Sequence, residues 1–274
     1  MTSLPNRLAA LATGLAAIAA SAGLAVAGLY VDAPNWVQQA RGTDLATLFL
    51  AVPVLAVGLW AASRGSAAGR LAVVAGSLYL VYDYAIFAFA VAMNPLTAVH
   101  IAILGLALWS LVLGARQAVM GTDGVTERLD RRVAGALLTA VAGLFALLWI
   151  GQIATVSATG SLPPDLIKAG LSSNPVYALD LAFFLPLCAL AGVGLIRGTR
   201  AAAFAFPMLI WVALMGASIV GGFLLMAVAG DQVALPVVLV IGSLSVGAAI
   251  LSLVALMPTT RAAHRPSRSA HLEG

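Results

Sequence analysis

The residues best suited to chemistry lie in one stretch, Tyr79 to His100, which reads YLVYDYAIFAFAVAMNPLTAVH. It contains three tyrosines, an aspartate, an Asn-Pro pair and the only histidine outside the C-terminal tail. A charged group inside an apolar segment is costly, so Asp83 needs a reason to be there. Asp83 is predicted to act as a proton acceptor, ion ligand or cation-binding group. The alternative is a structural carboxyl that is neutral, or that is hydrogen-bonded to Tyr79, His100 or a backbone group.

His100 has the chemistry of a proton shuttle, a metal ligand or a haem ligand. No second histidine falls in an apolar segment, which excludes a bis-histidine haem, and no spacing motif supports a metal site with Asp83 or Asp180. The favoured interpretation is a hydrogen-bonded histidine in the helix core. The sequence therefore predicts no metal and no cofactor.

The elements that position these residues are membrane-spanning helices. Of the 274 residues, 62% are hydrophobic and 9% are charged, whereas a soluble domain carries about 25% charged residues. The long continuous apolar runs are typical of helices and differ from the alternating ten-residue segments of a membrane barrel. The predicted fold class is all-α, a polytopic membrane helix bundle forming one domain, 1–257. A basic cytoplasmic tail without fixed structure is predicted to follow, 258–274.

Eight transmembrane segments follow from the apolar runs and the turn signals between them. Pro53 and Pro186 lie inside predicted helices and indicate kinks. The first run is longer than the roughly 7–15 apolar residues of a cleavable signal peptide, which favours a retained helix over cleavage. The predicted spans are 8–30, 44–62, 70–92, 96–113, 133–156, 175–195, 201–229 and 233–257.

The distribution of basic residues predicts the orientation of the bundle. If the N-terminus lies in the cytoplasm, twelve of the fourteen lysine and arginine residues fall on the cytoplasmic side, and only Arg41 and Lys168 lie outside. Positive residues concentrate on the cytoplasmic side of membrane proteins. Both termini are therefore predicted to be cytoplasmic, in the inner membrane of a bacterium. This placement explains the basic net charge of +4 without a nucleic-acid partner.

Once the orientation is set, the position of a residue along its helix gives its depth in the membrane. Asp83 lies thirteen residues beyond Arg70, about 20 Å along a helix. By this measure the ionisable and amide groups inside the spans all fall in the external half of the membrane. We predict an externally open, ligand-binding pocket there, although depth alone leaves the convergence of its members open. Its candidate residues are Asp44, Asp83, His100, Asp180, Gln152, Tyr82, Tyr84, Tyr177 and Asn94.

Structural interpretations compete for several of these residues. Asp44 follows Arg41-Gly42-Thr43 and fits the first turn of a helix. Asp180 lies one turn from the predicted interface, where a carboxyl reaches water or caps a helix. The single cysteine, Cys188, forms no intrachain disulfide and is typical of a small buried hydrophobe. No nucleotide-binding or hydrolase motif is present, which argues against an ATP-driven pump.

Four segments carry a resemblance to a known family: QARGTDLATLFLAVPVLAV (38–57), RGSAAGRL (64–71), the YDY and NPL core (82–96), and LDLAFFLPL (179–187). On these residues the chain resembles a family of bacterial multi-span integral membrane proteins with no assigned activity. The family pattern has Tyr-Asn-Tyr at positions 82–84 and an aromatic residue at position 100. The resemblance implies fold and topology, and it permits an Asp83–His100 interaction particular to this chain.

Three functions are consistent with the sequence, which leaves open whether the chain is an enzyme. The first is binding or transport of a small or amphipathic ligand through the outward-facing pocket. The second is an intramembrane enzyme acting on a lipid or quinone, with Asp83 and His100 as acid and base. The third is a structural or accessory membrane subunit. The lipid bilayer is the predicted partner in all three, and the oligomeric state is left open.

Overall fold

A computed structural model describes residues 3–119, 125 and 127–257 of the protein. The described residues form helices joined by turns and irregular segments and contain no strand, and eight of their helices are long and apolar enough to cross a membrane. The predicted polytopic helix bundle is thus confirmed. The predicted tail, 258–274, lies outside the described residues. We number the eight helices α1 to α8: Leu4–Ala25, Pro34–Ser63, Ala67–Phe89, Thr97–Val119, Arg131–Thr159, Pro175–Arg197, Arg200–Val228 and Leu235–Leu256.

Two helix boundaries near the N-terminus differ from the sequence prediction. The first helix ends at Ala25 rather than at Tyr30. The second begins at Pro34, ten residues before Asp44, so most of the predicted polar loop is helical. Proline suits the first turn of a helix because its missing N–H has no intrahelical acceptor there. The turns that follow are stabilised by packing against α7, which their polar composition did not indicate.

Helices that follow one another in the chain run antiparallel, so the bundle has two distinct ends. Ser110 donates a hydrogen bond of 3.0 Å to the Pro5 carbonyl, which places the end of α4 beside the start of α1. Arg128 donates to the Met257 carbonyl at 3.1 Å, which places the end of α8 beside the entry to α5. We call this the near end. The opposite end, at which α2, α4, α6 and α8 begin, is the far end.

Two helices contain a π-helical turn immediately before a proline. In α2 the π segment Thr47–Ala51 precedes Pro53, and in α6 the π segment Asp180–Phe184 precedes Pro186. A proline lacks the N–H of a regular helical bond and displaces the preceding carbonyl, so the widened turn accommodates it. The sequence predicted kinks at both prolines. The structure resolves each distortion as a local widening of a continuous helix.

Glycine allows α2 and α7 to pack closely at the far end. A Cβ built on Gly42 would overlap the backbone of Gly222, and Gly221 is also within contact distance of Gly42. Beside this crossing, the hydroxyls of Thr43 and Ser218 are hydrogen-bonded at 2.8 Å. Small residues permit such close approach of membrane helices and make van der Waals contact between them extensive. This crossing fixes one wall of the site described below.

Candidate functional site

Asp83 lies in the far-end half of α3, and its side chain is only 3% exposed. One carboxyl oxygen, Oδ2, is buried without a hydrogen-bond partner among the described residues. Tyr79 lies one turn earlier on the same helix, and its hydroxyl is hydrogen-bonded to Thr47 Oγ1 at 3.0 Å. The Tyr79 hydroxyl also interacts with the Asp83 carboxyl, so Oδ2 is the oxygen of that carboxyl left without a partner. An unpartnered carboxyl oxygen at this depth is energetically costly.

A cavity of about 120 Å³ adjoins Asp83 at the far end of the bundle. We call it the Asp83 cavity. Its lining residues come from α2, α3, α6 and α7, so it forms only when these helices pack together. Its polar side chains are Gln39, Thr43, Tyr82, Asp83 and Ser218, and its aromatic side chains are Trp36, Tyr82, Phe87 and Phe223.

Hydrogen bonds to backbone groups just after α3 hold the rim of this cavity in place. The indole Nε1 of Trp36 donates to the Ala90 carbonyl at 3.0 Å. The amide of Ala92 donates to Asp32 Oδ1 at 2.9 Å. The last carbonyls of a helix lack intrahelical partners, so side-chain donors commonly complete them. These contacts tie the start of α2 to the end of α3.

A second cavity of about 70 Å³ adjoins the first, and we call it the Asp180 cavity. Asp180 Oδ2 accepts a hydrogen bond of 2.7 Å from the indole Nε1 of Trp149. Trp211 also lines this cavity, and its own Nε1 is buried without an acceptor among the described residues. Four residues line both cavities and form the boundary between them: Tyr82, Val176, Met215 and Ile219.

An aromatic cluster holds Tyr82 at this boundary. Phe184 and Trp211 stack with their ring centroids 5.0 Å apart and their planes at 14°. The Tyr82 ring meets both edge-on, at 4.9 Å from Phe184 and 5.6 Å from Trp211. Offset stacks and edge-on pairs are the favoured arrangements of aromatic rings. The cluster joins α3, α6 and α7 between the two carboxylates.

Asp44 has a partner of its own at the interface of α1 and α2. Its Oδ2 accepts a hydrogen bond of 2.7 Å from the Tyr30 hydroxyl. The carboxyl lies directly against Gly23, where any larger residue would collide with it. Asp44 lines neither of the two cavities. It joins the segment after α1 to α2, and it lies inside the longer α2 rather than at its start.

His100 is 1% exposed and is enclosed by aromatic rings. Its ring centroid lies 4.8 Å from Phe87 and 5.7 Å from Tyr84. Nδ1 is buried with no hydrogen-bond partner in the described part of the chain, and no described hydrogen bond joins His100 to Asp83. The sequence favoured a hydrogen-bonded histidine, but the structure shows no such bond at Nδ1. Tyr84 donates to the Ala16 carbonyl at 3.5 Å.

The remaining candidates are at the far end and form local contacts. Asn94 Oδ1 accepts from the Leu96 amide at 2.9 Å and so closes the turn between α3 and α4. The Tyr177 hydroxyl donates to Gln152, and the Tyr177 ring stacks on Trp149 at 4.9 Å. These contacts join α5 to the start of α6. They support Asp180 through Trp149 without lining its cavity.

The structure thus divides the predicted candidates among several places. It brings Asp83, Tyr82 and Asp180 to two adjoining cavities, whereas Asp44, His100 and the remaining candidates form helix-to-helix or turn contacts elsewhere at the far end. All of them lie in the half of the bundle toward the far end. Depth carries no information about which face of each helix they occupy.

Sequence reasoning missed the contribution of α2 to the Asp83 cavity. Trp36, Gln39, Ala40 and Thr43 line it, with the i, i+3, i+4, i+7 spacing of a single helical face. The spacing is visible in the sequence, but the polar composition of the segment places it between the first two predicted spans. Trp211 was also missed, since one tryptophan within an apolar span has no distinguishing pattern.

The donor set does not match a transition-metal site. No cluster of three or more histidine, cysteine, aspartate or glutamate side chains occurs within residues 3–119, 125 and 127–257. Comparison of the chain with protein-family models, curated proteins and solved structures finds no match. The function of this protein is therefore inferred from its own geometry.

Proposed function

We propose that this multi-pass membrane protein binds and transports a small organic cation, a protonated amine, in the Asp83 cavity. The observation that supports it most is the buried, unpartnered carboxyl oxygen of Asp83 beside a cavity. A cationic ligand would supply the missing partner and offset the cost of the buried carboxylate. With the predicted orientation, the cavity lies toward the outside of a bacterial inner membrane.

The lining favours an organic cation over a metal ion. Hard cations such as Ca²⁺ take six to eight oxygen ligands. Besides Asp83, the cavity offers the hydroxyls of Thr43 and Ser218, which are bonded to each other, and few further oxygens. Its remaining surface is largely aromatic and aliphatic, which suits the carbon atoms of an amine. The volume limits the ligand to a handful of heavy atoms.

Transport is supported by the two helices that carry π segments. Both α2 and α6 contribute to the Asp83 cavity, and each has its π turn and proline within the span. Widened helical turns often occur at functional sites, and interrupted helices line the substrate sites of many transporters. A change in the bend of α2 or α6 would open or close the cavity.

No specific observation favours the two alternatives. The enzyme hypothesis requires Asp83 and His100 to share a proton, but His100 lies within an aromatic cage and lines neither described cavity. The accessory-subunit hypothesis leaves the unpartnered carboxyl oxygen without a role. Kinship with the bacterial multi-span family stays a prediction, as does the inner-membrane location.

Binding of radiolabelled butylamine to the purified protein tests this proposal. We expect Asp83→Asn, which keeps the shape and removes the charge, to weaken binding about 10- to 100-fold, since hydrogen bonds to charged groups contribute roughly 1.5–3 kcal/mol. The matched control is Asp165→Asn, which removes an exposed carboxylate at the same end outside the cavity.

Asp165→Asn should leave butylamine binding unchanged. Proteoliposomes loaded with unlabelled butylamine should then accumulate the labelled amine by exchange, whereas the Asp83→Asn protein should not. Equal binding by wild type and Asp83→Asn, or no binding by wild type, would refute the proposal. Binding without exchange would refute transport alone.

A further inference from the structure

We infer that the ligand site is bipartite: the Asp83 cavity takes the amine, and the Asp180 cavity takes a hydroxyl group on the same short molecule. This inference rests on the proposed function and names its substrate class, the small amino alcohols. It follows from two unpartnered buried groups of opposite hydrogen-bonding type in adjoining cavities. Asp83 Oδ2 is an acceptor, and Trp211 Nε1 is a donor.

Trp211 differs from Trp36 and Trp149, the other tryptophans that line the two cavities. Trp36 donates to the Ala90 carbonyl and Trp149 donates to Asp180, so both indole N–H groups are satisfied. The Trp211 indole has no acceptor among the described residues. Buried tryptophan N–H groups usually have a partner, and leaving one without an acceptor costs free energy. A ligand acceptor in the Asp180 cavity would supply that partner.

The charge of the Asp180 cavity determines which acceptor fits. Asp180 lines the same cavity as Trp211, so a ligand carboxylate would face a like charge in a poorly solvated place. A neutral acceptor avoids this repulsion. A hydroxyl fits better than a carbonyl, because it accepts from Trp211 and donates to a carboxylate with free lone pairs. Asp180 Oδ2 accepts from Trp149, and the Tyr82 hydroxyl is a second donor to this carboxylate. A carboxylate offers about four lone-pair sites, so acceptor capacity for a ligand hydroxyl remains.

Because the two cavities share a boundary, one short ligand can occupy both. Tyr82 lines both cavities and directly precedes Asp83 in the chain. Its ring contacts Trp211 edge-on, with centroids 5.6 Å apart. Tyr82 thus lies at the boundary between the cavity that adjoins Asp83 and the cavity that Trp211 lines. The volumes of about 120 and 70 Å³ leave room for a short aliphatic chain between them.

Pairs of ligands with equal numbers of heavy atoms test the inference. 3-Amino-1-propanol and butylamine differ only by a hydroxyl in place of a methyl group, and the same holds for ethanolamine and propylamine. We expect wild type to bind the better amino alcohol about 10-fold more tightly than its paired alkylamine, as one well-placed hydrogen bond provides. β-Alanine, which carries a carboxylate instead, should not compete.

The variant Trp211→Phe removes the indole N–H and keeps an aromatic ring. It should lower the affinity for the amino alcohol to that of its paired alkylamine, while butylamine binding remains detectable and reports a folded site. The matched control is Trp109→Phe, at a 57% exposed tryptophan on α4. This control should keep the full preference.

The outcomes separate the two proposals. If wild type binds neither amine, the proposed function fails. If wild type binds both members of every pair within threefold, the amine site stands and the bipartite site is overturned. A preference that persists in a Trp211→Phe protein that binds butylamine also overturns it, as does competition by β-alanine equal to that of the amino alcohol.

Discussion

The crossing of α2 and α7 provides the sharpest test of how the site is held together. A Cβ at Gly42 would overlap the backbone of Gly222, which cannot move aside as a flexible side chain can. The substitution Gly42→Ala should therefore push the two helices apart. The hydrogen bond between Thr43 and Ser218 lies one residue away and would lengthen or break. Because both hydroxyls line the Asp83 cavity, amine binding should weaken as well.

The expected loss of stability follows from three contributions. Overpacking a tight contact costs about 1–3 kcal/mol. Loss of the interhelical hydroxyl bond adds roughly 0.6 kcal/mol. Replacing glycine by alanine inside a helix returns up to about 1 kcal/mol. The net destabilisation of Gly42→Ala is about 1–3 kcal/mol, measured by SDS-induced unfolding in mixed micelles.

Gly143→Ala is the matched control within the same fold. Gly143 lies inside α5, and a Cβ there meets nothing within 4 Å. This variant gains helix propensity without a collision, so its stability should equal or exceed that of wild type by up to about 1 kcal/mol. If Gly42→Ala unfolds no more easily than Gly143→Ala, the close α2–α7 crossing is wrong, and with it the wall of the cavity.

Two further predictions concern His100 and the orientation of the bundle. His100→Phe should keep amine binding. It should leave the free energy of unfolding unchanged or raise it by up to about 1 kcal/mol, because an apolar ring replaces a buried, unpartnered nitrogen beside Phe87. Loss of binding would show that the imidazole is needed. For orientation, Cys188 is fully buried and gives no background, so an impermeant maleimide on intact bacteria should label Ser161→Cys at the far end. It should label Ser63→Cys at the near end only after permeabilisation, and the reverse pattern would overturn the predicted topology.

The Asp83 region illustrates how far sequence reasoning reaches. A carboxyl inside an apolar segment is conspicuous because of its cost in lipid, so Asp83 was found from composition alone. Its neighbour in the prediction, His100, was equally conspicuous but packs against aromatic rings instead of the carboxyl. Residue type identifies a polar group that needs a partner. The partner itself depends on helix rotation, which the sequence does not specify.

The start of α2 illustrates the opposite case. Its polar residues predicted a loop, yet Pro34 begins a helix there and Trp36 is buried. Local hydropathy was outweighed by packing against α7 through glycine contacts between residues distant in the chain. The error hid a helical face of four residues that lines the Asp83 cavity.

The sequence alone determined that the protein is a bundle of eight membrane-spanning helices with its intramembrane aspartates and histidine in one half. Apolar length and the cost of intramembrane charge are properties of single segments, so they can be read along the chain. The tertiary structure decided which of those groups share a cavity and which have a hydrogen-bond partner. Asp44, for example, accepts a hydrogen bond from Tyr30. That outcome depends on the rotation and neighbours of each helix, and these are set by close packing between residues far apart in sequence.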